Sequence, residues 1–244
     1  GDIRIDQGTS ATGISRIDDV TPNVWEEAYG TGLGTGINNV DGSSAGSTIE
    51  YTPNMMPDGM TARIAWSPNV GGSKSNDKAA SGGQGPKGSG YDVTLELGEG
   101  VLGTSGLTIG GGYSSTEQDQ GSATYNGDVD EQTFYATYAV AGFTLGYQWS
   151  EEDLGTASNE LGYENTGYGI TFAVNDDLSI GYNHYESDQD SSTDVTAEAS
   201  SFQIAYSMGG ASIRVAEASS DNNKYQTAAM YDKDATTISV SLAF

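Results

Sequence analysis

Apolar and polar residues alternate along most of this chain, in short runs. The last run is the clearest: Ile238, Val240, Leu242 and Phe244 alternate with Thr237, Ser239, Ser241 and Ala243. A period of two places one set on each face of a β-strand. The same pattern recurs in residues 2–6, 48–52, 60–67, 91–97, 107–113, 133–140, 143–149, 168–174, 178–183, 202–208 and 211–215. With 236–244 these runs predict twelve strands and an all-β fold.

The connections alternate in kind. Residues 9–47, 68–90, 114–130, 150–162, 186–196 and 221–234 are long and polar, whereas 53–59, 98–106, 141–142, 175–177 and 209–210 are shorter. Antiparallel outer-membrane barrels have this asymmetry, with short periplasmic turns and long extracellular loops, and Phe244 falls on the short-turn side. Inside the longest connection, Thr21 as a cap, Pro22 at the first position and Gly30 just past the end predict a short helix.

The faces decide between a membrane barrel and a soluble sandwich. At the strand centres Asp2, Arg4, Glu50, Arg63, Asp92, Glu96 and Arg214 all lie opposite the apolar face. A sandwich would also keep charges off that face, but it would bury Val, Leu and Ile. Here the apolar faces carry Tyr and Phe near their ends, as aromatic girdles do, and an Arg or Lys on a lipid face costs about 2–4 kcal/mol at mid-membrane. The pattern predicts one domain, 1–244, forming a transmembrane antiparallel β-barrel.

Composition narrows the function. Only 35% of the 244 residues are hydrophobic, which suits a barrel whose strands are apolar on one side. No apolar run reaches the roughly 18 residues of a transmembrane helix. No basic-then-apolar leader stands at Gly1, so the sequence reads as mature, trimmed or a fragment. The absence of Cys excludes disulfides and thiolate metal sites. The net charge of -25 argues against nucleic acid as a partner.

The ending Ile238-Ser239-Val240-Ser241-Leu242-Ala243-Phe244 resembles the last strand and terminal Phe of bacterial general porins. Residues Arg16-Ile17-Asp18-Asp19-Val20-Thr21-Pro22, followed by Trp25-Glu26-Glu27, resemble the long porin loop that folds into the lumen between strands five and six of sixteen. If 2–6 is strand five, the final strand is number sixteen. The chain thus resembles strands 5–16 of a sixteen-stranded porin, of the alphaproteobacterial type. The family's first four strands are absent, and an unpaired strand edge cannot sit in lipid. Either upstream sequence completes the barrel, or strand one closes on strand twelve.

The resemblance implies a homotrimeric porin in a Gram-negative outer membrane, surrounded by lipid and lipopolysaccharide. It implies passive diffusion of ions and small hydrophilic solutes, with no cofactor and no enzymatic activity. Residues 9–47 become the inward constriction loop. By position its carboxylates are Asp18, Asp19, Glu26 and Glu27, and the wall candidates are Arg4, Arg63 and Arg214, with Glu50 on the same face. The acidic excess predicts weak cation selectivity.

Two other readings compete. The barrel could serve as an adhesin or receptor through acidic, Ca²⁺-binding extracellular loops. Asp188, Asp190 and Asp194, or Asp128 and Asp130, offer oxygen ligands at alternating positions, without EF-hand spacing. His184 with Ser187 invites comparison with outer-membrane phospholipases, but no flanking motif of that family accompanies the pair.

Overall fold

The computed structural model describes residues 1–37, 39–45, 47–70, 87–118, 126–157 and 160–242. Twelve strands form a single antiparallel sheet in chain order. They are β1 (Asp2–Gln7), β2 (Ser47–Thr52), β3 (Met60–Ser67), β4 (Lys87–Leu97), β5 (Leu107–Gln118) and β6 (Val129–Val140). The sheet continues with β7 (Phe143–Asp153), β8 (Glu160–Ala173), β9 (Leu178–Ser191), β10 (Val195–Met208), β11 (Ala211–Asp221) and β12 (Lys233–Leu242). Among the described residues the one α-helical turn is Glu99–Leu102, and no helix is long and apolar enough to cross a membrane.

The two faces are the reverse of a soluble sandwich. One carries exposed apolar side chains on every strand, among them Ile5 at 73% exposure, Trp66, Phe134, Tyr147, Phe202 and Val240. The other is polar and buried, with Thr94, Ser114, Thr133, Ser150, Asn183 and Gln203. A continuous apolar surface far beyond a few hundred Å² needs lipid or a partner to cover it. All the wall charges identified from the sequence lie on the other, inner face. Among the described residues β1 pairs only with β2 and β12 only with β11, so the sheet is open. Among the described residues strand one does not close on strand twelve. Phe244 lies outside the described residues.

The strands run further than the alternation indicates. Within 150–162 and 186–196, read as acidic loops, residues 150–153, 160–162, 186–191 and 195–196 are strand. Likewise, within 114–130, residues 114–118 and 129–130 are strand. The register explains this: Glu151 pairs with Glu164 and Glu164 with Asp188, so the ladder continues where both faces have become polar. Backbone pairing needs no apolar side chain; only contact with lipid does.

The helix expected between the Thr21 cap and Gly30 is not formed, and only a 3-10 turn spans Ala28–Gly30. The backbone donors that would have closed helical turns are taken by the wall. Trp25 and Glu26, whose N–H groups would have bonded the Thr21 and Pro22 carbonyls, donate to Gln203 at 3.0 and 3.3 Å.

Candidate functional site: a segment docked on the inner wall

The connection from β1 to β2 lies across the inner face. It has almost no regular structure, so its backbone groups need partners elsewhere. Five wall side chains supply them. Glu50 on β2 accepts from the N–H of Gly13 at 2.8 Å. Asp92 on β4 accepts from the N–H of Ser43 at 3.0 Å and of Ile14 at 3.3 Å. Glu131 on β6 accepts from Asp41 at 3.0 Å and Gly42 at 2.6 Å. Gln148 on β7 accepts from Val20 and donates to the carbonyls of Ile17 and Asp18, at 2.8 and 2.9 Å. Gln203 on β10 accepts from Trp25 and Glu26 and donates to the carbonyl of Glu26.

Two further contacts fix the far end. Thr237 on β12 donates to the carbonyl of Thr31 at 3.1 Å, and Lys233 donates to that of Leu33, also at 3.1 Å. Apolar packing adds to this: Ile14, Ile17 and Val40 cluster with Tyr135, while Ala28 and Ile37 cluster with Tyr185, Ala197, Ala199 and Tyr225. The wall also leaves room for the chain. A Cβ on Gly146 would stand 2.2 Å from Pro22 Cδ, and one on Gly169 would stand 2.4 Å from the Pro22 carbonyl oxygen. Glycine at both positions lets Pro22 lie directly on the strands.

The carboxylates singled out from the sequence fall into two adjacent pairs on this segment. Asp19 and Glu26 are exposed, Asp18 is half-buried, and Glu27 is buried at 8% exposure. Burial, then the charge of Asp19 beside it, pushes the Asp18 carboxyl up to about 8. Burial, then the hydrogen bond with Glu26, pushes Glu27 up to about 8, and the charge of Asp19 adds to the shift. Asn23 donates to Glu27 at 2.6 Å.

The wall arginines have other partners. Arg4 reaches Asp6 at 3.3 Å, and Arg63 pairs with Glu96, which also accepts from the Tyr135 hydroxyl at 2.6 Å. Arg214 lies on the inner face of β11 with no carboxylate at ion-pair distance among the described residues. Glu50, only 2% exposed, is gripped by Arg16 at 2.7 Å. It ties the segment to the wall instead of lining open space. Among the described residues, no segment carboxylate forms an ion pair with a wall arginine.

Glu131, Gln148, Gln203 and Arg16 were not recognised as site residues from the sequence, and Asp92 was placed on the inner face without a role. The available signal was a long polar side chain on the face away from lipid. Among the described residues, Asp188, Asp190 and Asp194 do not bring three ligand atoms close together. Thr196 donates to Asp188, and Asp194 accepts from the Ser191 N–H at 3.3 Å. Asp130 instead accepts from Tyr113 at 2.8 Å. His184 and Ser187 point to opposite faces of β9, and Ser187 is bonded to Tyr225 at 2.7 Å, so they form no catalytic pair.

The sequence profile of the Gram-negative porins matches residues 6–210. The chain belongs to that family. The match is to Gram-negative porins as a whole, which are outer-membrane, non-enzymatic channel proteins. Solved porins share the fold. The anion-selective porin from Comamonas acidovorans superposes with TM-score 0.61 at 14% identity, covering 89% of this chain and 66% of that one. A porin refined at 1.8 Å gives TM-score 0.63 at 15% identity, covering 99% and 77%. Salmonella typhi OmpF, in complex with daunomycin, gives 0.59 at 15% identity, covering 81% and 62%. The chain therefore spans less than two thirds of the length of two of these porins. No curated protein matches it.

In this porin chain the Arg16–Glu50 pair admits a direct test. Arg16→Met leaves the Glu50 carboxylate buried with Gly13 as its remaining donor. The expected cost is about 1–3 kcal/mol, read by thermal unfolding in detergent. Adding Glu50→Gln should recover part of it. Equal losses for the single and double variants would show that the pair does not couple segment to wall.

Proposed function

We propose that the chain builds most of the wall of a water-filled diffusion channel, which residues 9–47 narrow from inside. The observation that supports this best is the docking of that polar segment on the face away from lipid, through Glu50, Asp92, Glu131, Gln148 and Gln203. Four strands upstream of β1 complete a sixteen-stranded barrel, because the free edges of β1 and β12 need backbone partners in lipid. The channel passes ions and small hydrophilic solutes, works as a homotrimer and contacts lipopolysaccharide.

In this reading Asp18, Asp19, Glu26 and Glu27 set the charge of the constriction. Arg4, Arg63 and Arg214 moderate it from the wall, and Glu50 holds the loop in place. The chain carries 34 acidic against nine basic residues, so the mouth attracts cations and the preference is weakly cationic. Selectivity for anions is a property of the Comamonas protein, whose identity to this chain is 14%. An adhesin or receptor acting through acidic loops has less support, since most of residues 150–162 and 186–196 is strand.

Stepwise conductance of the intact protein in planar bilayers tests the channel, and its absence overturns the reading. Protease added outside intact cells tests the loop. Residues 30–46 should resist cleavage, and ready cutting there would place the segment outside the lumen.

A further inference from the structure

His184 is the chain's one histidine, and the porin reading gives it no role. It points outward from β9, one same-face position beyond Tyr182, where the apolar band gives way to carboxylates. The β9–β10 register sets Glu186 directly opposite Glu198, and His184 directly opposite Ser200. The β10–β11 register then sets Glu198 directly opposite Asp221. Three carboxylates in one cross-strand row repel one another. A single imidazolium would balance only one of them.

The imidazole is held for coordination. Its side chain is 10% exposed and lies against the Tyr168 ring, with centroids 5.0 Å apart. Nδ1 is 2.8 Å from Ser200 Oγ, and the Tyr182 hydroxyl donates to the same oxygen at 3.3 Å. With Nδ1–H donating to Ser200, the Nε2 lone pair faces Glu186 Oε1 at 3.0 Å. In the other tautomer Nε2–H donates to that oxygen, so a metal ion takes the place of this proton when it binds. A second ring nitrogen fixed by a hydrogen bond is how metal-binding histidines are oriented.

We propose that His184, Glu186 and Glu198 form a divalent transition-metal site on the outer wall. One ligand atom from each lies within 4.8 Å of the others. One imidazole nitrogen with two carboxylate oxygens suits Zn²⁺, whereas Ca²⁺ takes six to eight oxygens. Three protein ligands leave a fourth position for water. The ion offsets the row of opposed charges and cross-links β9 to β10 above the aromatic girdle. This site faces away from the inner segment, so it stands or falls independently of the channel reading.

The test is calorimetric titration of the intact protein, stripped with chelator in detergent, with Zn²⁺ and separately with Ca²⁺. One saturable Zn²⁺ per chain is expected, with affinity at least tenfold weaker in His184→Gln and in Glu198→Gln. Ser200→Ala should weaken it about 10- to 100-fold through loss of orientation. Asp190→Asn, on the same face but outside the site, should leave it unchanged. Co²⁺ in place of Zn²⁺ should give a visible absorption band that His184→Gln abolishes. All these residues face outward, and His184→Gln preserves most of the buried volume, so heat-modifiable gel mobility should report intact folding. Absence of saturable Zn²⁺ binding, or Zn²⁺ binding that survives His184→Gln, would overturn the site. Ca²⁺ binding as tight as Zn²⁺ and indifferent to His184 would show only a solvated acidic belt.

Discussion

Replacing Gln148 and Gln203 together by alanine is expected to free the inward segment and raise single-channel conductance. Each carboxamide both accepts from segment N–H groups and donates to segment carbonyls. Gln203 is fully buried, at 0% exposure. Removing Gln148 strips the Val20 N–H and the Ile17 and Asp18 carbonyls of this partner, and removing Gln203 strips the Trp25 and Glu26 N–H groups, all at least partly buried contacts, at about 1–3 kcal/mol per site. Since 1.4 kcal/mol is a factor of ten, the double change should shift docking by at least about tenfold. The freed segment should also become a protease substrate between residues 13 and 43. Ser150→Ala is the control, since Ser150 is on the same face but accepts from Asn165 at 3.2 Å. Unchanged conductance and protection in the double variant would assign docking to the two apolar clusters instead.

Asp18→Asn with Asp19→Asn is expected to move the reversal potential toward anions in a salt gradient, by an amount that grows with pH. Asp18 and Glu27 both titrate at about 8, so each is mostly neutral below that value and charged above it. Wild-type cation preference should therefore increase between about pH 7 and 9, and the double variant should flatten the part that Asp18 contributes. Docking follows the opposite trend. The ordinary values are 3.8 for Asp and 4.5 for Glu, so the docked segment holds extra protons from there up to about 8. Its stability is greatest below the ordinary carboxylate range and falls as pH rises toward 8. In 1 M salt the Debye length is about 3 Å, and the preference should fade. A wild type that is anion-selective at low salt, or a double variant with an unmoved reversal potential, would remove these carboxylates from control of selectivity.

The membrane-facing part of each strand was legible because lipid imposes a period of two on side chains such as Ile238, Val240 and Leu242. The same rule hid the strand extensions. Beyond the lipid, Glu151, Glu164 and Asp188 keep their backbone pairing without any apolar signal. The segment's capping residues, Thr21 and Pro22, were read by local rules that hold when a helix has only water to compete with. Here Gln203, 178 positions away from Trp25, competes successfully for the donors of the first helical turn. Such partners leave no local trace. Asp18, Asp19, Glu26 and Glu27 were visible as paired acids, but which member of each pair is buried depends on the wall beneath.

The reach of the docked segment also constrains how the molecule assembles. Its partners run from Glu50 on β2 to Thr237 on β12, which lies 206 positions from Thr31. Contacts of such separation form late, because the intervening chain must be ordered first. Each strand pair, by contrast, closes mostly through short connections. On the channel reading proposed above, the strands are expected to pair before the segment seats, so assembly should pass through a wider pore than the finished one, which conductance recorded during refolding into bilayers would detect.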